Sequence, residues 1–258
     1  MPTAKELRVA PISGKDARSL IKRLHYSGKV VNNSQLHLGV FLDGVLEGAM
    51  QFGPSLDKRK MLGLVRDTPW NGFIELNRMA FSDRLPRNSE SRAISVAMRL
   101  LRKHYPHIKW VVSFADGTQC GDGTIYRASG FILTSIKQNS TLIRLMDGTV
   151  GANMTYSKGK HILKDGGAKM PDGATRLAGY QLRYMYFVDK SYKSKLAVPV
   201  LPFSKIDEMG ASMYLGKARE KQAMASFPEA QRRSSTDLHA PISEGSGEGF
   251  SPLLADAS

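Results

Sequence analysis

Cysteine is almost missing from this chain. Cys120 stands alone among 258 residues, which excludes an internal disulfide and any cysteine-based zinc cluster. No apolar run is long enough to cross a bilayer, and the opening stretch MPTAKELRVAPISGKD lacks the apolar heart of a signal peptide. The expectation is therefore a soluble protein of a reducing compartment with no membrane partner. Neither GxGxxG nor a Walker sequence occurs, so a dinucleotide or nucleoside triphosphate is not indicated. No internal repeat is visible. Acidic residues are the last shortage: 23 Asp and Glu face 37 Lys and Arg, a formal net charge of +14. Such an excess favours a polyanionic partner, because each phosphate neutralised releases condensed counterions.

What is present is ordinary globular material, 41% hydrophobic and 23% charged, enough for one good-sized core. The first periodic segment is SGKDARSLIKRLHYSGK. Ser13 can cap a helix with Asp16 three residues on, and Ala17, Leu20, Ile21 and Leu24 form its apolar stripe. The helix should stop near Gly28, leaving His25 and Tyr26 at its end. QLHLGVFL and VLEGAMQFG meet at Asp43-Gly44, a strong hairpin signal. Residues 54–71 read as a basic, irregular excursion, and FIELNRMAFS as a strand.

In DRLPRNSESRAISVAMRLLRKHYP a long helix carries the stripe Ile94, Ala97, Met98 and Leu101, and Pro106 ends it. KWVVSFA is a buried strand. GTIYRASGF is a short helix whose Gly130 suits a left-handed C-terminal cap. FILTSIK and TLIRLM are further strands. Residues 147–179 read as a mobile basic insert before the strand YQLRYMYFV. The order is α/β, with a mixed central sheet flanked by helices, antiparallel first and parallel where FIELNRMAFS crosses over to KWVVSFA. Residues 1–205 are expected to form the main domain, 206–232 a helical extension and 233–258 a disordered tail.

In an open sheet of this kind, ligands bind beyond the carboxyl ends of the parallel strands. Three segments lie there. The loop RNSES precedes the long helix, whose free N–H groups favour an anion, and Asn88, Ser89 and Ser91 can add donors. Plain N-capping by Ser89 or Ser91 explains the same residues. Asp116 follows VVSFA, and can act as a base, a ligand or simply a turn residue with Gly117. Tyr126 can supply a proton to a leaving group, or be a buried phenol bonded to backbone. Arg78 sits inside an apolar strand and needs an anion. Glu75 has the opposite parity in a regular strand, so the two should not pair.

IYRASGF resembles the helix-then-strand element of the GNAT superfamily of acyltransferases, and the strand, loop and long helix over 73–105 are similar to its coenzyme A pyrophosphate unit. The usual glycine-rich loop is replaced here by Asn88-Ser89-Glu90-Ser91. A narrower resemblance rests on LHYSGK, IELNRMAFSDRLPRNSES, SFAD, GTIYRASGF and RYMYFVDKSYKSKLAVPVLPF, in that order. Together they resemble the phage Mom family of DNA modification proteins over about residues 20 to 205. That resemblance implies conversion of the 6-amino group of DNA adenine to a carbamoylmethyl (acetamido) derivative, which shields phage DNA from host restriction, in the cytoplasm of the infected bacterium.

By the same resemblance His25, Arg78, Ser91, Asp116 and Tyr126 fall on the family's functional positions. His25, Asp116 and Tyr126 would be catalytic. Arg78, Asn88, Ser89 and Ser91 would hold the anionic part of an acetyl-CoA or related coenzyme A donor. His25, Asp116 and Tyr126 could instead gather iron. DNA is the expected partner, and Trp70, Tyr105 and Tyr156 are candidates to stack on a displaced base. Two alternatives remain: a conventional N-acetyltransferase of a small amine or protein, and a catalytically inactive DNA-binding protein.

Overall fold

The computed structural model describes residues 3–156, 170–214 and 217–218, which fall within one compact unit. Strand β1 (Arg8–Pro11) leads into helix α1 (Gly14–Leu24). Ser13 caps α1 as expected, its Oγ accepting from the Asp16 amide at 3.0 Å and donating to Asp16 Oδ2 at 2.7 Å. Ala17, Leu20 and Ile21 are buried against Ala49 and Ala80 of the sheet. Next come β2 (Leu36–Leu42) and β3 (Val45–Gly53), joined by Asp43 and Gly44 at φ 49° and 80°. Two positive φ values in succession give the primed turn whose twist matches the flanking strands.

A short helix, α2 (Lys58–Leu62), interrupts the expected excursion before β4 (Phe73–Phe81). Helix α3 (Ser89–His104) then crosses over to β5 (Trp110–Asp116), which pairs with β4 in parallel. The predicted stripe of α3 is fully covered: Ile94, Ala97, Met98 and Leu101 are each at most 1% exposed. Burying each of the larger three contributes about 1.5–3 kcal/mol. After α4 (Thr124–Ala128) and β6 (Ile132–Gln138), the chain leaves the sheet and returns as β10 (Tyr180–Phe187), antiparallel between β5 and β6. The seven-stranded order is β1-β2-β3-β4-β5-β10-β6, the mixed sheet expected, with helices against it.

One expected strand is placed outside the main sheet, and two expectations are corrected. TLIRLM supplies β7 (Leu142–Arg144), which pairs outside the main sheet with β8 (Val150–Ala152) and β9 (Thr175–Arg176). Residues 147–179, expected as a mobile basic insert, thus hold paired strands and the helical turn α5 (Asn153–Tyr156); residues 157–169 lie outside the described residues. Beyond β10 the helix α6 (Ser204–Glu208) stops at once, and β11 (Met213–Tyr214) pairs with β12 (Lys217–Ala218). Gly210, at φ 65°, ends the turn after α6, so 206–232 is not a continuous helix. Residues 219–258, including the expected tail, lie outside the described residues. Among the described residues no helix is long and apolar enough to cross a membrane.

The feature that makes a site is the parting of β4 from β5. Their parallel pairing covers only Phe73–Glu75 against Trp110–Val112. Beyond it the β3–β4 register shifts: Arg78 faces Gln51 while Leu76 faces Phe52, leaving Asn77 as an extra residue. Such a bulge bends its strand and raises the local twist. The carboxyl ends of β4 and β5 consequently stand apart with room between them.

Candidate functional site

His25, Arg78, Asp116 and Tyr126 line one cavity of about 580 Å³ in this opening, with Leu76, Phe114 and Cys120 also in its wall. Each arrives from a different element. His25 is the C-cap of α1, Arg78 follows the bulge in β4, Asp116 ends β5 and Tyr126 sits in α4. A neighbouring cavity of about 410 Å³ is lined by Asn88 and Ser91, and it shares Phe81, Glu90, Thr124 and Ile125 with the first. The serine loop and the aspartate–phenol end are therefore adjoining parts of one depression.

Tyr126 is buried, at 7% exposure, among Phe131 and Tyr184, whose rings lie 5.4 and 5.2 Å from its own. Its Oη accepts from Ser113 Oγ at 2.8 Å; that hydroxyl also lies 3.1 Å from the Leu76 carbonyl, beside the strand gap. Burial pushes the phenol up to about 12, against a smaller pull downward from Ser113. At neutral pH Tyr126 keeps its proton and can donate it. Gly123 permits this placement: at φ 84° it precedes α4, and a Cβ there would overlap the Tyr184 ring.

Asp116 is heavily occupied. Its Oδ1 accepts from the amides of Thr118 and Gln119 at 2.9 and 3.2 Å. Its Oδ2 accepts from Tyr26 Oη at 3.0 Å and Gln119 Nε2 at 3.1 Å. A carboxylate offers about four acceptor positions, so these donors fill it. Turn capping and a cavity-lining position coexist in one residue. The Tyr26 phenol is raised above its ordinary range by burial and then by the facing Asp116 charge.

His25 stacks on Tyr26 with ring centroids 4.2 Å apart. Its Nδ1 accepts from the Ser27 amide at 3.2 Å and lies 2.8 Å from Ser27 Oγ. An amide can only donate, so Nδ1 is unprotonated and the neutral ring carries its hydrogen on Nε2. Burial first, then the Arg78 charge, pushes His25 down to about 4, with Asp116 opposing. The ring is neutral at physiological pH and presents a donor.

Arg78 makes no ion pair among the described residues; its Nη1 donates to the Asn77 carbonyl at 2.8 Å and its Nε is buried without a partner. Among the described residues no carboxylate therefore bonds the Arg78 guanidinium directly. The bulge also cancels the parity argument about Glu75, because Arg78 now lies within electrostatic reach of it. Burial raises the Glu75 carboxyl, with Ser55, Asn77 and Arg78 pulling it back.

At the helix start, Asn88 is the N-cap of α3 at φ 70°, with no side-chain capping bond. Ser91 donates to the Asn88 carbonyl at 3.1 Å. Ser89 is corrected: it is buried at 1% exposure, its hydroxyl donates to the Pro86 carbonyl, and it does not line the cavity. Sequence reasoning placed it by its spacing alone. Trp70 and Tyr105 are also corrected as stacking candidates. Trp70 precedes β4 and Tyr105 precedes β5, at the far ends of both strands, and neither lines the depression. Tyr156 ends α5, and Thr155 rather than it reaches a cavity wall.

Iron finds no fitting donor set. Among the described residues no three His, Cys, Asp or Glu side chains gather, His25 uses Nδ1 locally, and Asp116 is filled by hydrogen-bond donors. Sequence reasoning missed Tyr26 as a partner of Asp116, Ser113 and Phe114. For Ser113 a signal existed: a lone hydroxyl in the apolar run WVVSFA needs a partner.

Residues 6–205 match the model of the Mom protein family. The "Methylcarbamoylase mom" of Escherichia phage Mu is 50% identical over 129 residues, an overlap covering 50% of this chain and 53% of that protein. The match thus spans about half the length of the curated relative. Among solved structures, a Bacillus subtilis acetyltransferase in complex with CoA aligns with TM-score 0.42 at 10% identity, over 70% of this chain and 98% of that one. The ribosomal-protein-S18-alanine N-acetyltransferase of Escherichia coli aligns with TM-score 0.41 at 12% identity, over 70% and 94%. Likeness of that degree carries no argument about chemistry.

Proposed function

The chain belongs to the Mom protein family, and on that premise we propose that it modifies DNA adenine at the exocyclic 6-amino group, giving the carbamoylmethyl derivative and protecting phage DNA from host restriction. The supporting observation is the cavity that gathers His25, Arg78, Asp116 and Tyr126 beside the start of α3. A coenzyme A-type donor would place its anionic part at α3, where the Glu90 and Ser91 amides have no backbone acceptor among the described residues, with Asn88, Ser91 and Arg78 as further donors. Acetyl transfer alone cannot give a carbamoylmethyl group, so the amide nitrogen must arrive with the donor or with a second substrate.

The chain's own groups divide the proton work. Tyr126 is a protonated phenol beside Ser113, which can stabilise the phenolate left when that proton goes to a leaving group. The neutral His25 offers Nε2–H to a polarised oxygen. Asp116 can take the amine proton only once Tyr26 releases an acceptor position. The adenine amine is paired in a duplex, so the base must be extruded or unpaired, at a cost of a few kcal/mol. The site would act in the cytoplasm of the infected cell.

The test is mass spectrometry of nucleosides from plasmid DNA of cells expressing the chain. A mass-shifted adenine is expected, and Ser91→Ala, Asp116→Ala and Tyr126→Phe should each lower it, the last by about a hundredfold as for loss of a general acid. Unmodified adenine with folded protein would sink the reading. An acetylated small amine or protein formed without DNA would point to a conventional N-acetyltransferase. DNA binding that none of the variants alters, with no product, would leave a binding protein.

A further inference from the structure

Toward Asp116 one face of the sheet changes character along its length. β5, β10 and β6 pair so that Asp116, Gln181 and Lys137 form one cross-strand row, and Phe114, Arg183 and Ser135 the next. By strand alternation these rows share a face with Val112, Met185, Trp110 and Phe187. At that end the face is covered, packing with Met61, Leu64 and Val65. At the Asp116 end the same face turns polar, Lys137 and Gln181 are exposed, and Phe114 is only half-buried. These three strands are antiparallel to one another, an arrangement that can keep one face in water.

Two cavities flank this polar end. One, of about 770 Å³, is lined by Lys29, Arg78, Phe114, Lys137 and Gln181 among others. The second, of about 400 Å³, adds Lys60 and Arg183. They share Phe114, Lys137 and Gln181, so they form one groove. The larger also shares Tyr26, Arg78, Phe114 and Asp116 with the catalytic cavity, so the groove ends at that wall.

Its lining is net cationic, with Lys29, Lys60, Arg78, Lys137 and Arg183 against Asp57, Glu75 and Asp116. Among the described residues Lys29, Lys60, Lys137 and Arg183 enter no ion pair, whereas Arg84, Lys109, Arg127, Lys195 and Lys205 each have a carboxylate. The facing carboxyls are engaged elsewhere: Asp57 caps α2, Glu75 is held by Ser55, and Asp116 is filled by its four donors. Cations along a groove with an accessible aromatic floor are the two elements of a single-strand binding track.

We propose that this groove seats one unpaired DNA strand. Its phosphates run from Lys60 and Arg183, past Lys137, to Lys29. A base stacks on Phe114, and the target adenine enters at the Tyr26–Asp116 edge. A duplex would present only its backbone to Phe114, so an unpaired strand is the partner that uses the whole surface. The inference rests on the adenine-modifying reading.

The experiment is fluorescence anisotropy of a short fluorescein-labelled mixed-sequence oligonucleotide, unpaired or annealed, across a salt series. The full chain should bind the unpaired form more tightly. The double variant Lys60→Ala/Lys137→Ala should weaken that binding about fivefold or more and lower the log–log salt slope by about 1.4, roughly 0.7 for each phosphate no longer neutralised. Lys103→Ala/Lys190→Ala removes equal charge at the far end of the sheet, in the last turn of α3 and past the Phe187–Trp110 pair, and should bind as the parent does. Phe114→Leu should weaken the unpaired form more than the annealed one. Equal losses in both double variants, or tighter duplex binding untouched by all three, would overturn the groove. Groove binding without modified adenine in cells would sink the enzymatic reading alone; modified adenine with a double variant that binds normally would sink the groove alone.

Discussion

The phenol of Tyr26 donates to Oδ2 of Asp116 at 3.0 Å, tying the end of α1 to the end of β5 across 90 positions of sequence. With Arg78 and Phe114 these two residues form the wall shared by the cavity at Tyr126 and the basic groove. Asp116 holds its own turn by two amide bonds and is closed to further donors while Tyr26 stays in place. Tyr26 is itself 50% exposed, so releasing it uncovers little apolar surface.

The two residues should therefore differ under substitution. Tyr26→Phe keeps the ring against His25 and frees an acceptor on Asp116, so most of the adenine modification should survive. Asp116→Asn replaces an acceptor-only group that four donors address, and should lower modification more than tenfold, with a loss of about 1–3 kcal/mol in stability. Nucleoside mass spectrometry and denaturant melts read the two effects. Equal loss of product in both variants would show that Tyr26 does more than occupy Asp116.

His25 gives the fold a pH dependence with a definite sign. The folded ring is held at about 4 against an ordinary value near 6.5. Between those values the unfolded chain binds a proton that the folded chain refuses. This contribution is thus level above about pH 6.5 and is lost as pH falls toward about 4. Arg78 adds to the depression and Asp116 opposes it, so both charges belong to the effect. The thermal midpoint should fall across that window in the parent and fall less in His25→Gln. Parallel curves would show that the histidine does not titrate in this way.

Much of the scaffold was legible because its signals are local. Ser13 with Asp16, the Asp43-Gly44 turn, the α3 stripe and the left-handed Gly130 each depend on a few neighbouring residues. What sequence reasoning lost is non-local. The Asn77 bulge is a register event between β3 and β4, and it reverses a parity argument sound for a regular strand. The return of β10 between β5 and β6 brings Gln181 and Lys137 beside Asp116, though they lie far apart in sequence. The tie of Tyr26 to Asp116 is likewise one long-range hydrogen bond, with no local signal.

Ser89 and Ser91 show the same limit at two positions, and they offer the clearest separation of structure from binding. Both lie in the first turn of α3, and sequence gives them equal standing as donors to an anion. In the fold Ser89 turns inward to the Pro86 carbonyl, and Ser91 lines the cavity, bonded only to the Asn88 carbonyl. Ser89→Ala removes a buried hydroxyl and one of two donors to the Pro86 carbonyl, which keeps the Ser89 amide at 3.2 Å, so it should cost about 1 kcal/mol in a denaturant melt. Its effect on coenzyme A affinity should be small, because its oxygen is not presented to the cavity. Ser91→Ala should reverse the pattern, with stability unchanged within about 0.5 kcal/mol and coenzyme A binding weakened several-fold. Isothermal titration with coenzyme A beside melts of both variants makes the comparison. If Ser89→Ala weakened binding as much as Ser91→Ala at equal stability, the anion would lie deeper in the helix start than this geometry allows.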